Sequence, residues 1–302
     1  MSGKDYRSTH LGDHALHDET MMLGYGYDPA LSEGSVKQPI FATSTFCFPS
    51  AEAGREFFDI VSGRSKTARN DADGGLVYSR FNHPNAQIVE ERLALFERAD
   101  AGAVFSSGMA AIATTAIAHC APGDVILYSQ PLYGGTDSLF KKVLAKFGVT
   151  PLPLSDATDP AAMAADAEAA RAKGRIALFF LETPSNPLAT LVDIGAAAQI
   201  ATQIGKAQGH RPLVAVDNTL LGPVLQSAIA AGADLSVYSL TKSVGGHSDL
   251  VAGGVVGTRA AVTPIRMLRA LLGGNLDPNS CWMLARSLET VTLRMEKASD
   301  NA

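Results

Sequence analysis

The chain has 302 residues, 46% hydrophobic and 18% charged, with a formal net charge of −5. Those proportions exclude a disordered polymer, and 28 glycines with 15 prolines exclude collagen-like and low-complexity chains. The mild acidic balance leaves no electrostatic footprint for nucleic acid, and no apolar run approaches the roughly 20 residues of a membrane span.

The first 20 residues carry Asp5, Asp13, Asp18 and Glu19 without an apolar stretch, so no secretory signal is expected. Residues 1–60 show no sustained period and read as an N-terminal arm. The charged, Gly-punctuated segment 61–75 (VSGRSKTARNDADGG) reads as a flexible loop. Pro84 opens a helix with Val89, Leu93 and Phe96 on one face. From about residue 100 short apolar runs alternate with helix-forming stretches. Strands are predicted at 103–105, 125–129, 150–154, 176–182, 213–217, 235–240 and 251–256. Most runs are continuously apolar, as strands covered on both faces must be. Helices are predicted at 160–173, closed by Gly174, and at 193–207. This order specifies an α/β fold with a mostly parallel seven-stranded sheet. The last run follows a Gly-rich turn and is a candidate antiparallel strand. After Asp277-Pro278 one long helical pattern (CWMLARSLETVTLRMEKAS) runs to the end. Three units are expected: the arm 1–60, a large domain 61–275 and a connecting helix from 276. Cys47, Cys120 and Cys281 suggest neither a disulfide framework nor a metal cluster, which fits a reducing, cytoplasmic setting. His247 and Asp249 lack a third ligand nearby, so no metal site is expected.

Ligands of open α/β sheets bind beyond the carboxyl ends of the strands. Here those ends deliver Ser106-Ser107-Gly108-Met109, then Leu132-Tyr133-Gly134-Gly135, then Pro184-Ser185-Asn186, then Asp217-Asn218-Thr219, and finally Thr241-Lys242. A phosphate nest, an aromatic ring, an amide, a carboxylate and an amine thus meet on one rim. Pyridoxal 5'-phosphate needs that set. Backbone N–H groups at a helix start hold the phosphate, and Gly108 allows close approach. Tyr133 stacks on the ring, Asp217 pairs with the pyridine nitrogen, and Lys242 forms the Schiff base. Ser239 and Thr241 add hydroxyls.

The segments YSRFNHPN, FSSGMAAI, LYGGT, ETPSNP, VAVDNT and YSLTKSVGGHSDLVAGG occur in this order. Together they resemble the Cys/Met-metabolism (transsulfuration) enzymes, which include cystathionine γ-synthase, cystathionine lyases, homoserine sulfhydrylases and methionine γ-lyase. The resemblance implies fold type I of the pyridoxal-phosphate enzymes, aspartate-aminotransferase-like, built as homodimers paired into homotetramers. It implies that Lys242 and Tyr133 are catalytic and that Asp217, Gly108, Met109, Ser239 and Thr241 bind the cofactor. Asn186 is implied beside the ring hydroxyl. Tyr78 and Arg80 are implied to reach the phosphate of a neighbouring subunit's cofactor, giving shared active sites. The substrate would be a small sulfur amino acid or an activated homoserine, cleaved or exchanged at a γ C–S or C–O bond. A β-eliminating cystathionine lyase and a silent cofactor-binding or assembly subunit are the alternatives; a nicotinamide dehydrogenase fits the α/β order but not Lys242 and Asp217.

Two departures are visible. Gly135 stands where methionine γ-lyases carry cysteine. The family's smaller C-terminal domain supplies the arginine for the substrate carboxylate, and the chain is expected to end within the helix that leads to it.

Overall fold

The computed structural model describes residues 6–61, 64 and 75–302, so most of the loop expected at 61–75 lies outside the described residues. A two-residue ladder of β1 (His10–Leu11) with β2 (His14–Ala15) precedes helices α1 (Asp18–Met22) and α2 (Ala51–Val61). Helix α2 was not expected from the sequence. Phe57 seats it, with its ring 5.4 Å from Phe48 and 5.3 Å from Phe58. Helix α3 (Pro84–Glu97) starts where Pro84 predicts. His83 caps it by accepting the Ala86 N–H on Nδ1 at 3.2 Å.

The seven apolar runs become β3 (Ala101–Phe105), β4 (Val125–Tyr128), β5 (Thr150–Pro153), β6 (Ile176–Glu182), β7 (Leu213–Asp217), β8 (Leu235–Tyr238) and β9 (Gly253–Gly257). They form one sheet in the order β3-β9-β8-β7-β6-β4-β5. β9 runs opposite to the other six strands, antiparallel to both β3 and β8. The connecting helices are α4 (Gly108–His119), the short α5 (Gly134–Ser138), α6 (Pro160–Arg171) and α7 (Ile194–Gln208). Three more follow the sheet: α8 (Arg259–Leu272), α9 (Pro278–Leu288) and α10 (Val291–Asn301).

Successive strand residues point to opposite faces. Ile126 and Tyr128 pack with Phe105, Phe180 and α4 on one side, while Val125 and Leu127 pack with Met163, Ile200 and Leu181 on the other. Both faces are buried, which is why the strands are apolar without alternation. A further cluster joins Met21 and Met22 of α1 to Leu93, Leu284 and Leu288, so part of the N-terminal segment is built into the body.

The strand expected at 251–256 begins at Gly253, and two larger expectations change. The strand expected to 240 ends at Tyr238, because residues 239–242 turn and the Lys242 N–H bonds the Ser239 carbonyl at 3.1 Å. The terminal helix is two helices. Arg294 donates to the Ser287 carbonyl at 2.8 Å and to the Val244 carbonyl at 2.9 Å. The first bond occupies an acceptor at the end of α9, and the second holds α10 against the loop after β8.

Candidate active site

Helix α4 begins directly after β3. The Ser107 hydroxyl accepts the Ala110 N–H at 3.1 Å, and the Ser107 carbonyl accepts the Ala111 N–H. The N–H groups of Gly108 and Met109 remain at the positive end of a 12-residue helix. Space here is tight. A Cβ on Gly108 would lie 3.0 Å from Ser239 Cβ, and one on Gly253 would lie 2.1 Å from the Ser107 carbonyl oxygen. Backbone therefore forms the wall on which an anion would rest.

Next to this wall lies a cavity of about 350 Å³. Gly108, Met109 and Ser239 line one side, Tyr133 and Asn186 another, and Asp217, Thr241 and Lys242 complete it. Tyr133 N-caps α5 and is 46% exposed. Its ring leans over Gly135, where a Cβ would stand 2.6 Å from Tyr133 Cε1 and 3.0 Å from Met109 Sδ. Asp217 ends β7 and is buried. Both hydrogen bonds to its carboxylate fall on Oδ1, from the Thr219 hydroxyl at 2.6 Å and the Thr219 N–H at 3.2 Å. Burial raises its pKa against those two bonds. Thr241 lines the cavity, but its hydroxyl is engaged with the Ala252 carbonyl at 3.1 Å and the Ala252 N–H at 3.0 Å.

Tyr78 and Arg80 are not among the cavity's lining residues. The Arg80 guanidinium lies 4.7 Å from the Phe81 ring centroid and donates to the Ala270 carbonyl. Tyr78 pairs with Thr45 in an isolated bridge.

Three residues gain parts that the sequence did not disclose. Thr219 accepts the Ser239 N–H at 2.8 Å while donating to Asp217, so it couples two cavity walls. Glu182 lines the cavity in register with Asp217. Burial pushes its pKa up to about 7, with Asp217 adding to the rise. Behind the rim, buried Glu97 accepts from Asn218 at 2.8 Å, Ser227 at 2.8 Å and Ser236 at 2.6 Å, and also from Tyr238. The Asp217-Asn218-Thr219 triplet offered a signal for Thr219; nothing local distinguished Glu182 or Glu97.

Among the described residues no cationic side chain forms an ion pair with Asp217 or Glu182, and none groups into a three-ligand metal cluster. The donor set fits pyridoxal phosphate: two free N–H groups and a hydroxyl for the phosphate, a buried carboxylate for a cationic ring, an aromatic face and one amine. Among those residues, no helix is long and apolar enough to cross a membrane.

Residues 19–302 match the family described as Cys/Met metabolism PLP-dependent enzyme, and the chain belongs to that family. It is 36% identical to an L-methionine gamma-lyase of Pseudomonas putida over 285 residues, covering 94% of this chain and 66% of the relative. It is 35% identical to an O-succinylhomoserine sulfhydrylase of Pseudomonas aeruginosa, covering 89% and 61%, and 34% identical to a cystathionine gamma-synthase of Mycobacterium leprae, covering 99% and 69%. The crystal structure of MetB from Corynebacterium glutamicum superposes with a TM-score of 0.74 at 28% identity, covering 92% of this chain and 65% of that one. The fold is that of the type I pyridoxal-phosphate enzymes. The chain thus spans just under two thirds of the length of the first of these relatives.

Proposed function

We propose that the protein is a pyridoxal-phosphate enzyme acting at the γ-position of a sulfur amino acid or an activated homoserine, by elimination or replacement at a C–S or C–O bond. The observation that carries it is the convergence of Lys242, Asp217 and Tyr133 on the cavity that opens at the start of α4. The relatives' names, a methionine gamma-lyase, a sulfhydrylase and a cystathionine gamma-synthase, support the γ-position. We also propose a cytoplasmic homodimer or homotetramer. There Tyr78 and Arg80, which lie outside their own chain's cavity, would serve a neighbouring subunit.

In this reading the N–H groups of Gly108 and Met109 and the Ser239 hydroxyl hold the phosphate. The Thr241 hydroxyl joins them on release from Ala252. Pyridoxal phosphate, when bound, supplies an aldehyde that captures amines and a ring that withdraws electrons from the substrate's α-carbon. Asp217 would keep the ring nitrogen protonated, while Thr219 holds its Oδ1. Asn186, which lines the cavity, would stand beside the ring hydroxyl. Lys242 Nζ takes the α-proton, and the Tyr133 hydroxyl gives a proton to the leaving γ-substituent.

Loading the protein with pyridoxal phosphate should produce a visible absorption band. Methionine or an O-acylhomoserine should then release a keto acid, or a thioether when a thiol is present. Lys242→Ala should abolish turnover and alter the band. Retention of both, or a colourless wild-type protein, would refute the reading.

A further inference from the structure

We propose that Glu182 is a positioning residue, a single carboxylate that ties together the two loops bearing Tyr133 and Asn186 and sets both against the cofactor. What the loops grip rests on the function proposed above; the tie itself belongs to the chain alone. Glu182 closes β6, and its N–H is anchored at 2.9 Å to Ser129 Oγ in the loop after the adjacent strand β4. Its side chain then works in both directions. Oε2 accepts the Tyr133 N–H at 2.6 Å, and Oε1 accepts the Asn186 N–H at 2.7 Å. Neither donor is served by a sheet ladder, and Tyr133 is 49 residues away in sequence. The side chain is buried and lines the cavity, yet each oxygen already holds a backbone partner. Its influence on the reaction therefore passes through the two residues it holds.

The geometry requires two acceptors at once, which an ionised carboxylate supplies. A neutral acid or an amide keeps one good acceptor and turns a donor toward the other N–H. The titratable groups around it are Asp217 from β7, Tyr133 from the loop after β4 and Lys242 from the turn after β8. Burial and Asp217 favour the acid, while the two N–H donors favour the anion; the balance lies at about 7. Above that pH both loops are held, and below it one is released.

The first test needs no cofactor. Amide resonances of Tyr133 and Asn186 are followed in the full chain from about pH 5 to about pH 9. Both are expected to move together with a midpoint near 7. Flat or independent responses would overturn the proposal. The second test uses Glu182→Gln loaded with pyridoxal phosphate. The variant should still bind pyridoxal phosphate, lose about tenfold in kcat, and lose any acid limb near neutrality. Wild-type kcat with an unchanged pH profile would also overturn it. If the variant does not fold, the wild-type amide titration decides alone. If the wild type binds no pyridoxal phosphate, the functional reading fails while the amide experiment still judges the tie.

Discussion

Burial acts on carboxylates in two places in this fold with opposite results. Glu90, on α3, is buried beside Arg269 at 2.6 Å and Arg266 at 3.0 Å, and it accepts the Val104 N–H at 3.0 Å. Burial pushes its carboxyl up, but the two guanidinium charges and these hydrogen bonds outweigh that and hold it below the ordinary range. Asp217 and Glu182 are also buried, but they receive only neutral donors, and both are raised. The first group is a closed strut between α3, α8 and β3. The second leaves negative charge uncompensated on a cavity, which is the arrangement a cationic ligand would complete. Pairing, more than burial, separates the two.

The largest expected effect comes from breaking the strut. Glu90→Ala leaves the buried Arg269 without its carboxylate and should cost about 3–5 kcal/mol, read as a large fall in thermal midpoint. A wild-type melting curve would mean that the cluster carries no load. Asp217→Asn should behave in the opposite way. The amide keeps an acceptor for Thr219 and removes a carboxylate that burial disfavours, so the thermal midpoint should hold or rise. Turnover should fall by about 10²–10³, on the scale of losing one preorganised electrostatic contact. Lower stability with intact activity would erase the distinction between the two groups.

The same contrast predicts opposite pH dependences. Glu182 has a folded pKa of about 7 against an ordinary 4.5, so the folded state holds its proton more tightly. Its contribution to stability is present in acid and declines as pH rises from about 4.5 to about 7, by up to about 3 kcal/mol. Asp217 acts in the same sense from its ordinary 3.8 upward. Glu90 has a lowered pKa, so its contribution is present above 4.5 and is lost as pH falls further. Denaturant unfolding across this range should show the neutral-side decline in the wild type and a smaller one in Glu182→Gln. An identical decline in both would remove Glu182 as its source.

The rim was legible because catalytic groups follow apolar runs, and a strand end is easy to see in a doubly covered sheet. Lys242, Asp217 and Tyr133 needed only the order of the strands to be brought together. Glu182 was invisible as a tie because its partner across the cavity is the backbone of Tyr133, and a backbone N–H has no sequence signature. Helix α2 carries a signal of its own, since Ala53, Phe57 and Ile60 recur at helical spacing, but that signal is one short period inside a Gly-, Ser- and Pro-punctuated stretch, where Phe48 packs on Phe57 and Phe58. The break before α10 depends on Arg294 reaching the Ser287 and Val244 carbonyls, the second 50 residues away. Propensity alone reads straight through it.

The smallest expected effect sharpens the comparison between the rim and the rest of the fold. Ser107 caps α4 at the cavity, and Thr258 caps α8 away from it, each accepting an N–H from the residue three positions on, at 3.1 and 3.3 Å. Replacing either by Ala should cost about 1 kcal/mol, since the same orphan donor is exposed in both helices. Their effects on cofactor binding should differ. Loss of the Ser107 cap frays the turn that presents the Gly108 and Met109 N–H groups, so pyridoxal phosphate should bind about fivefold more weakly. Thr258→Ala leaves that turn intact and should bind as the wild type does. Titration of both variants, alongside their melting curves, isolates the ligand-facing role of a cap from its share in helix stability. Equal weakening in the two would place the phosphate somewhere other than the start of α4.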